Sequence, residues 1–242
     1  MEDFYGSIKE ELFREAIEWA EQFVDISDEE KDILIQTKKS TLFHDSDPWR
    51  KKGEGSFDVT TGSNDGAETC ELIGLYLLSQ LQDLGIDIGL YRDDGLAVCK
   101  FSPRKVEQIK KKICEIFKKN QLSITISANL KVVDFLDVTL NLTLGTYKPY
   151  CKPNSKPLYV NKKSNHPPGV INNIAEGVNK RLNEISSNKE LFDEAAPFYQ
   201  KSLNEAGYSF KLEFTPKTNH QETENSKQKR KRKQNITWFN PP

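Results

Sequence analysis

Two adjacent carboxylates, Asp93 and Asp94, stand between two alternating apolar runs, Ile86-Ile88-Leu90 before them and Leu96-Val98 after. Neighbouring carboxylates repel one another unless a cation is supplied. Paired aspartates at strand ends suit a small hard divalent ion, because Mg²⁺ keeps several waters and is usually held by one or two carboxylates together with substrate phosphates. Such a site draws a further carboxylate from another element, and Asp3, far earlier in the chain at the entry to a helix, is the candidate. Taken singly, each signal also has a plain reading. Asp-Asp-Gly is a common surface turn, since aspartate tolerates turn dihedrals and glycine adopts positive φ, and Asp3 alone is an acidic residue near a terminus.

The elements that must position these groups follow from periodicity. The runs flanking the aspartates predict a two-strand hairpin with Asp94-Gly95 as its turn signal. Ser7-Ile8-Lys9-Glu10 reads as a capping box that opens a helix behind Asp3, with Leu12, Phe13, Ala16, Ile17, Ala20, Phe23 and Val24 as one apolar stripe. A second box, Ser27 to Glu30, opens a helix to about Lys39, and residues 44–55 read as an irregular loop. Asn64-Asp65-Gly66 marks a turn before a heavily apolar helix carrying Leu72, Ile73, Leu75, Tyr76, Leu78 and Leu81.

Ser102-Pro103 starts another helix, with Val106, Ile109, Ile113 and Ile116 inward and Lys105, Lys110, Lys111, Lys112, Lys118 and Lys119 outward. That lysine face reads more readily as solvated than as a nucleic-acid contact. Strands are expected at 122–126, 132–142 and 147–151, and helices at 170–186 and 189–206. After Thr215 the composition turns polar, and this segment is expected to be disordered on its own.

Composition narrows the class. The chain has 242 residues, 36% of them hydrophobic, enough for one sizeable core or two small ones. With 35 basic and 36 acidic residues its net charge is -1, so any attraction to nucleic acid or an anionic membrane must be local. Cys70, Cys99, Cys114 and Cys151 lack paired metal-ligand spacing, which disfavours zinc and a secreted disulfide framework alike. No signal peptide or membrane-length apolar run is present, so an intracellular protein of the nucleus or cytoplasm is expected, with no membrane partner.

The motifs fall in a recognisable order. Asp3-Phe4-Tyr5-Gly6-Ser7-Ile8 is similar to the first palm motif of reverse transcriptases, Thr61-Gly62-Ser63-Asn64-Asp65-Gly66-Ala67-Glu68 occupies the place of their second, and Tyr91-Arg92-Asp93-Asp94 resembles their Tyr-x-Asp-Asp box. Val133-Asp134-Phe135-Leu136-Asp137-Val138, with Gly145, Tyr147 and Lys152-Pro153-Asn154, looks like the segment after the palm in retroelement polymerases of the non-LTR or Penelope-like kind, and Asn165-His166-Pro167-Pro168 fits the same group. The resemblance spans about residues 1–210.

The resemblance implies an α+β fold, a palm-like antiparallel sheet with packed helices followed by a helical thumb or connector. It divides the chain into a reverse-transcriptase palm at 1–150, a helical region at 151–212 and a basic tail at 213–242. It further implies RNA-directed DNA synthesis on an RNA template and DNA primer from deoxynucleoside triphosphates, using two Mg²⁺ ions with Mn²⁺ as the alternative. Asp3 and Asp93 would be the principal metal ligands and Asp94 an assisting one, while Phe4, Tyr5, Gly62, Ser63 and Tyr91 would border the nucleotide and template.

Three departures accompany these matches. Ile8 stands where an aromatic commonly screens the sugar 2′ position, Thr61 precedes the second-motif glycine, and the fingers region expected ahead of the first motif is missing. Two other readings stay open: a catalytically inactive nucleic-acid-binding remnant, and a structural or protein-interaction domain whose carboxylates only cap turns. Lys229, Arg230, Lys231, Arg232 and Lys233 suit a nuclear signal, a nucleic-acid contact or a solubilising run.

Overall fold

The computed structural model describes residues 4–39, 42–49, 56–60 and 62–216. The chain divides into two units between Leu136 and Asp137, inside the stretch that the sequence assigns to its first domain. Among the described residues there are seven α-helices and several small antiparallel sheets, an α+β fold. None of those helices is long and apolar enough to cross a membrane.

In the first unit, a short turn of helix, α1 (Phe4–Ser7), leads into α2 (Glu10–Ala20), which buries Leu12, Phe13, Ala16 and Ile17. The expected box at Ser7 does not cap α2. Lys9 is the N-cap and makes no side-chain cap bond, because Ser7 is already taken into α1; Glu10 instead accepts from Arg14 Nη2 at 2.7 Å. The helix also stops at Ala20, which leaves Phe23 72% exposed rather than in the stripe. In α3 (Asp28–Thr37) the second box forms in both directions, Ser27 N donating to Glu30 Oε2 at 2.8 Å and Glu30 N to Ser27 Oγ at 3.3 Å. Residues expected as loop form a small hairpin, β1 (Leu42–His44) and β2 (Asp47–Trp49), because Asp45 and Ser46 both take left-handed φ values of 49° and 71°, as a two-residue hairpin turn requires.

Helix α4 (Gly66–Leu81) buries Cys70, Ile73, Leu77 and Leu81, one face at steps of three and four. A 3₁₀ turn, Gln82–Leu84, and left-handed Gly85 lead into the antiparallel hairpin β3 (Asp87–Tyr91) and β4 (Asp94–Val98). Helix α5 (Pro103–Lys119) is capped by Ser102, which accepts from Lys105 N at 3.4 Å, and buries Ile109, Ile113 and Phe117. These faces of α2, α4 and α5 share one core with Phe4, Ile8, Ile35, Val59 and Leu122. The strand expected at 122–126 does not form: Ile124 and Ile126 lean on the core without a strand ladder. Strand β5 (Val132–Phe135) ends this unit.

In the second unit, β6 (Val138–Asn141) and β7 (Thr146–Pro149) pair antiparallel. The single strand expected at 132–142 is therefore two, interrupted at Leu136, whose φ of 54° no glycine or asparagine announced. Helices α6 (Pro168–Glu184) and α7 (Lys189–Glu205), the latter capped by Asn188, enclose a core of Ile171, Ala175, Leu182, Phe192 and Leu203. Beyond Gly207, at φ 89°, residues 208–216 form no regular element but are hydrogen-bonded to Asn183 of α6 and Gln200 of α7, and they add Tyr208 and Leu212 to that core.

Candidate functional site

The β3–β4 hairpin sets the geometry of the paired aspartates. Its register pairs Tyr91 with Asp94 and Leu90 with Gly95, so the two turn residues are Arg92 and Asp93, not the expected Asp94-Gly95. Arg92 carries the positive φ of 54° that a tight hairpin turn demands at its first position. Gly95 has a packing role instead: a Cβ there would meet Leu90 Cδ2 at 3.0 Å. Because side chains alternate across a pleated strand, Ile88 and Leu90 face the helical core, whereas Tyr91 and its partner Asp94 lie on the opposite face. Asp93 sits at the tip, and Arg92, Asp93 and Asp94 are all exposed.

Three stretches that lie far apart in sequence meet at one end of α4. Tyr5 and Cys70 are electrostatic neighbours, and both groups feel the charges of Arg92 and Asp93. Burial raises the Tyr5 pKa and pushes the Cys70 thiol up to about 11, so neither side chain is ionised near neutrality. The loop before α4 closes against the same place. Gly62 takes φ 89°, Ser63 Oγ donates to Thr60 O at 2.9 Å, and a Cβ on Gly66 would meet Ser63 Oγ at 2.6 Å, Thr60 O at 2.7 Å and Tyr5 Cε1 at 3.7 Å. Beneath it, the buried Lys38 ammonium lies 2.5 Å from Asp65 Oδ2 and 5.8 Å from the centre of the Phe13 ring.

The residues singled out from sequence are sorted by this arrangement. Tyr5, Gly62, Ser63, Tyr91, Asp93 and Asp94 belong to the segments gathered at this end of the unit. Phe4, at 2% exposure, lies in the core and is set edge-on to Tyr5. Tyr91 is 50% exposed, with the Arg92 guanidinium 5.5 Å from its ring centre. Asp3, Thr61 and the run Lys229, Arg230, Lys231, Arg232 and Lys233 lie outside the described residues.

Lys38, Cys70 and Arg92 are the participants that sequence reasoning passed over. Arg92 alone had a signal, its place inside the Tyr-x-Asp-Asp stretch; Lys38 and Cys70 are brought there only by tertiary packing.

The donor chemistry fits a hard divalent cation. Asp93 and Asp94 offer carboxylate oxygens on exposed backbone at a tight turn, the ligand type that Mg²⁺ accepts beside water and phosphate. No group of three or more His, Cys, Asp and Glu side chains suited to a metal occurs among the described residues. No protein-family model, curated protein or solved structure matches this chain.

Proposed function

We propose that the first unit is the palm of a reverse transcriptase of retroelement descent, carrying out template-directed nucleotidyl transfer with Asp93 and Asp94, together with Asp3, as its acidic residues. The observation that carries this reading is the meeting of Tyr5, the loop at Gly62 to Gly66 and the Arg92-Asp93 tip at one end of α4. Three stretches that resemble palm motifs in order along the chain also converge in space, which independent surface turns have no reason to do.

In this reading the carboxylates of Asp93 and Asp94 would hold Mg²⁺, which when bound neutralises the charge on the phosphates and the primer 3′-oxygen. The residues around them set up the site. The tight turn, with Arg92 in a left-handed conformation, fixes Asp93 at the tip and Asp94 one register pair below it. Tyr91 and Asp94 share the face away from the core, leaving that face for a primer–template. The Tyr5 ring, 3.7 Å from where a Cβ on Gly66 would stand, sets the first-motif segment against the start of α4. An RNA template, a DNA primer and deoxynucleoside triphosphates are the partners, and the setting is nuclear or cytoplasmic.

Primer extension on an RNA template with Mg²⁺ tests it, comparing the full chain with Asp93→Ala/Asp94→Ala. The expected result is incorporation that falls by more than about a hundredfold in the double variant, the scale on which removing a preorganised charge at a reacting centre acts. Extension that survives the double change, or none from the unmodified chain, overturns the reading.

A further inference from the structure

Helix α5 carries a second feature that the hairpin chemistry does not use. Its sequence, PRKVEQIKKKICEIFKK, holds seven basic residues against two acidic ones. Six of the seven repeat at seven-residue steps in two neighbouring rows, Arg104-Lys111-Lys118 and Lys105-Lys112-Lys119. Seven residues are nearly two helical turns, so each row runs almost straight, with a charge every ~10 Å over a length of ~22 Å. These six are exposed. Among the described residues none of them makes an ion pair, whereas Arg14, Lys31, Lys38 and Lys39 of the same unit all do.

At its first turn the helix bears this charge against its own stability, although Lys118 and Lys119 suit its last. Arg104 and Lys105 sit in the first turn, where the helix dipole disfavours cations. Helices α2 and α3 instead place Glu10 and Glu11, and Asp28, Glu29 and Glu30, in that position. A double row of unpaired cations, in a chain whose net charge is only -1, complements a long regular polyanion rather than a single small anion. A membrane surface fits less well. The apolar residues of α5, Ile109, Ile113 and Phe117, are consumed by the core, so the helix has no free apolar face to insert among lipids.

We propose that the outer face of α5 binds the phosphate backbone of an RNA–DNA duplex. The choice of this partner rests on the polymerase reading; the surface itself does not.

Fluorescence anisotropy with a labelled RNA–DNA duplex, across a salt series and without nucleotide, tests it on the full chain. Lys111→Gln/Lys112→Gln/Lys118→Gln/Lys119→Gln is expected to weaken binding more than about tenfold at low salt and to flatten the log–log salt dependence by up to about 3.6, from a slope of roughly 0.9 for each of four neutralised phosphates. Lys148→Gln/Lys156→Gln, which removes two ion-paired lysines from the second unit, is expected to leave binding unchanged. Glu115→Lys, which adds a cation between the rows, is expected to tighten it, a gain that no misfolded variant gives.

An unchanged affinity and salt slope in the fourfold variant overturns the proposal. So does the loss of binding to anionic vesicles in that variant when the duplex never bound. Primer extension is read separately: a chain that binds the duplex through α5 but extends nothing loses the polymerase reading and keeps this one.

Discussion

Lys38 Nζ lies 2.5 Å from Asp65 Oδ2, with the lysine 4% exposed and the carboxylate 50% exposed. The pair joins the end of α3 to the residue that precedes α4, and so fixes the loop that closes on Tyr5. A buried ammonium is tolerated only while its partner is ionised and in place. Asp65→Ala is therefore expected to destabilise the first unit by about 2 kcal/mol, below the cost of breaking a wholly buried pair because water reaches Asp65. Lys38→Met, which fills the same space without charge, is expected to cost less. Urea unfolding of the two variants checks the order, and Lys38→Met costing more than Asp65→Ala would refute it.

The same pair sets a pH dependence. The Lys38 hydrogen bond holds the Asp65 carboxyl below its ordinary 3.8, and burial opposes it less strongly. A carboxyl whose folded pKa is depressed stabilises the fold fully above its unfolded value, and that contribution is lost as pH falls through the folded one. Glu10, held below 4.5 chiefly by its hydrogen bond from Arg14, acts in the same direction. Stability of the first unit should thus be flat from neutrality to about pH 5 and fall below about pH 4. Asp65→Asn should make that fall shallower, as measured by thermal melts across the acid range.

Two glycines test the loop and the hairpin by size alone. A Cβ on Gly66 meets a backbone carbonyl, Thr60 O, at 2.7 Å, which can yield only if the loop moves; at Gly95 it meets the end of the Leu90 side chain at 3.0 Å. Gly66→Ala is expected to cost about 2 kcal/mol and Gly95→Ala about 1 kcal/mol or less, the difference lying between backbone strain and a rotamer change. Denaturant midpoints separate them, and equal costs would show that the loop gives as readily as a leucine.

Much of this arrangement is legible in the sequence. The 3.6-residue rhythm gave α2, α4 and α5, and the alternation around Asp93 gave the hairpin, because burial of one face imposes those periods directly. What escaped were features decided by one backbone angle or by distant packing. Arg92 and Leu136 adopt positive φ without the glycine or asparagine that usually signals it, so the sequence places one turn a step too late and gives no sign of the other. Ser7 matched a capping box, yet a short helix ahead of it claimed the residue. In the candidate site, motif order singles out Asp93, Asp94 and Tyr5, whereas Lys38 and Cys70 are neighbours only because α3 and α4 bring them there.

In the second unit, side-chain amides take the place of a neighbouring strand. Gln200 donates from Nε2 to Phe210 O at 2.8 Å and accepts from Leu212 N at 2.9 Å; Asn183 donates from Nδ2 to Glu213 O at 3.0 Å and accepts from Thr215 N at 2.7 Å. Each amide engages the carbonyl of one residue and the N–H two residues on, as a residue of a paired strand would. Asn183 is 9% exposed, so Asn183→Ala leaves Glu213 O and Thr215 N without these bonds beside the core. A loss of about 2 kcal/mol is expected, with Gln200→Ala costing less because water reaches that side chain more easily. Hydrogen exchange gives the sharper check: in Asn183→Ala the amide of Thr215 should exchange faster, while amides in the middle of α7 keep their protection. Uniform acceleration through α7 would instead make residues 208–216 an integral part of the core and not a strap laid on it.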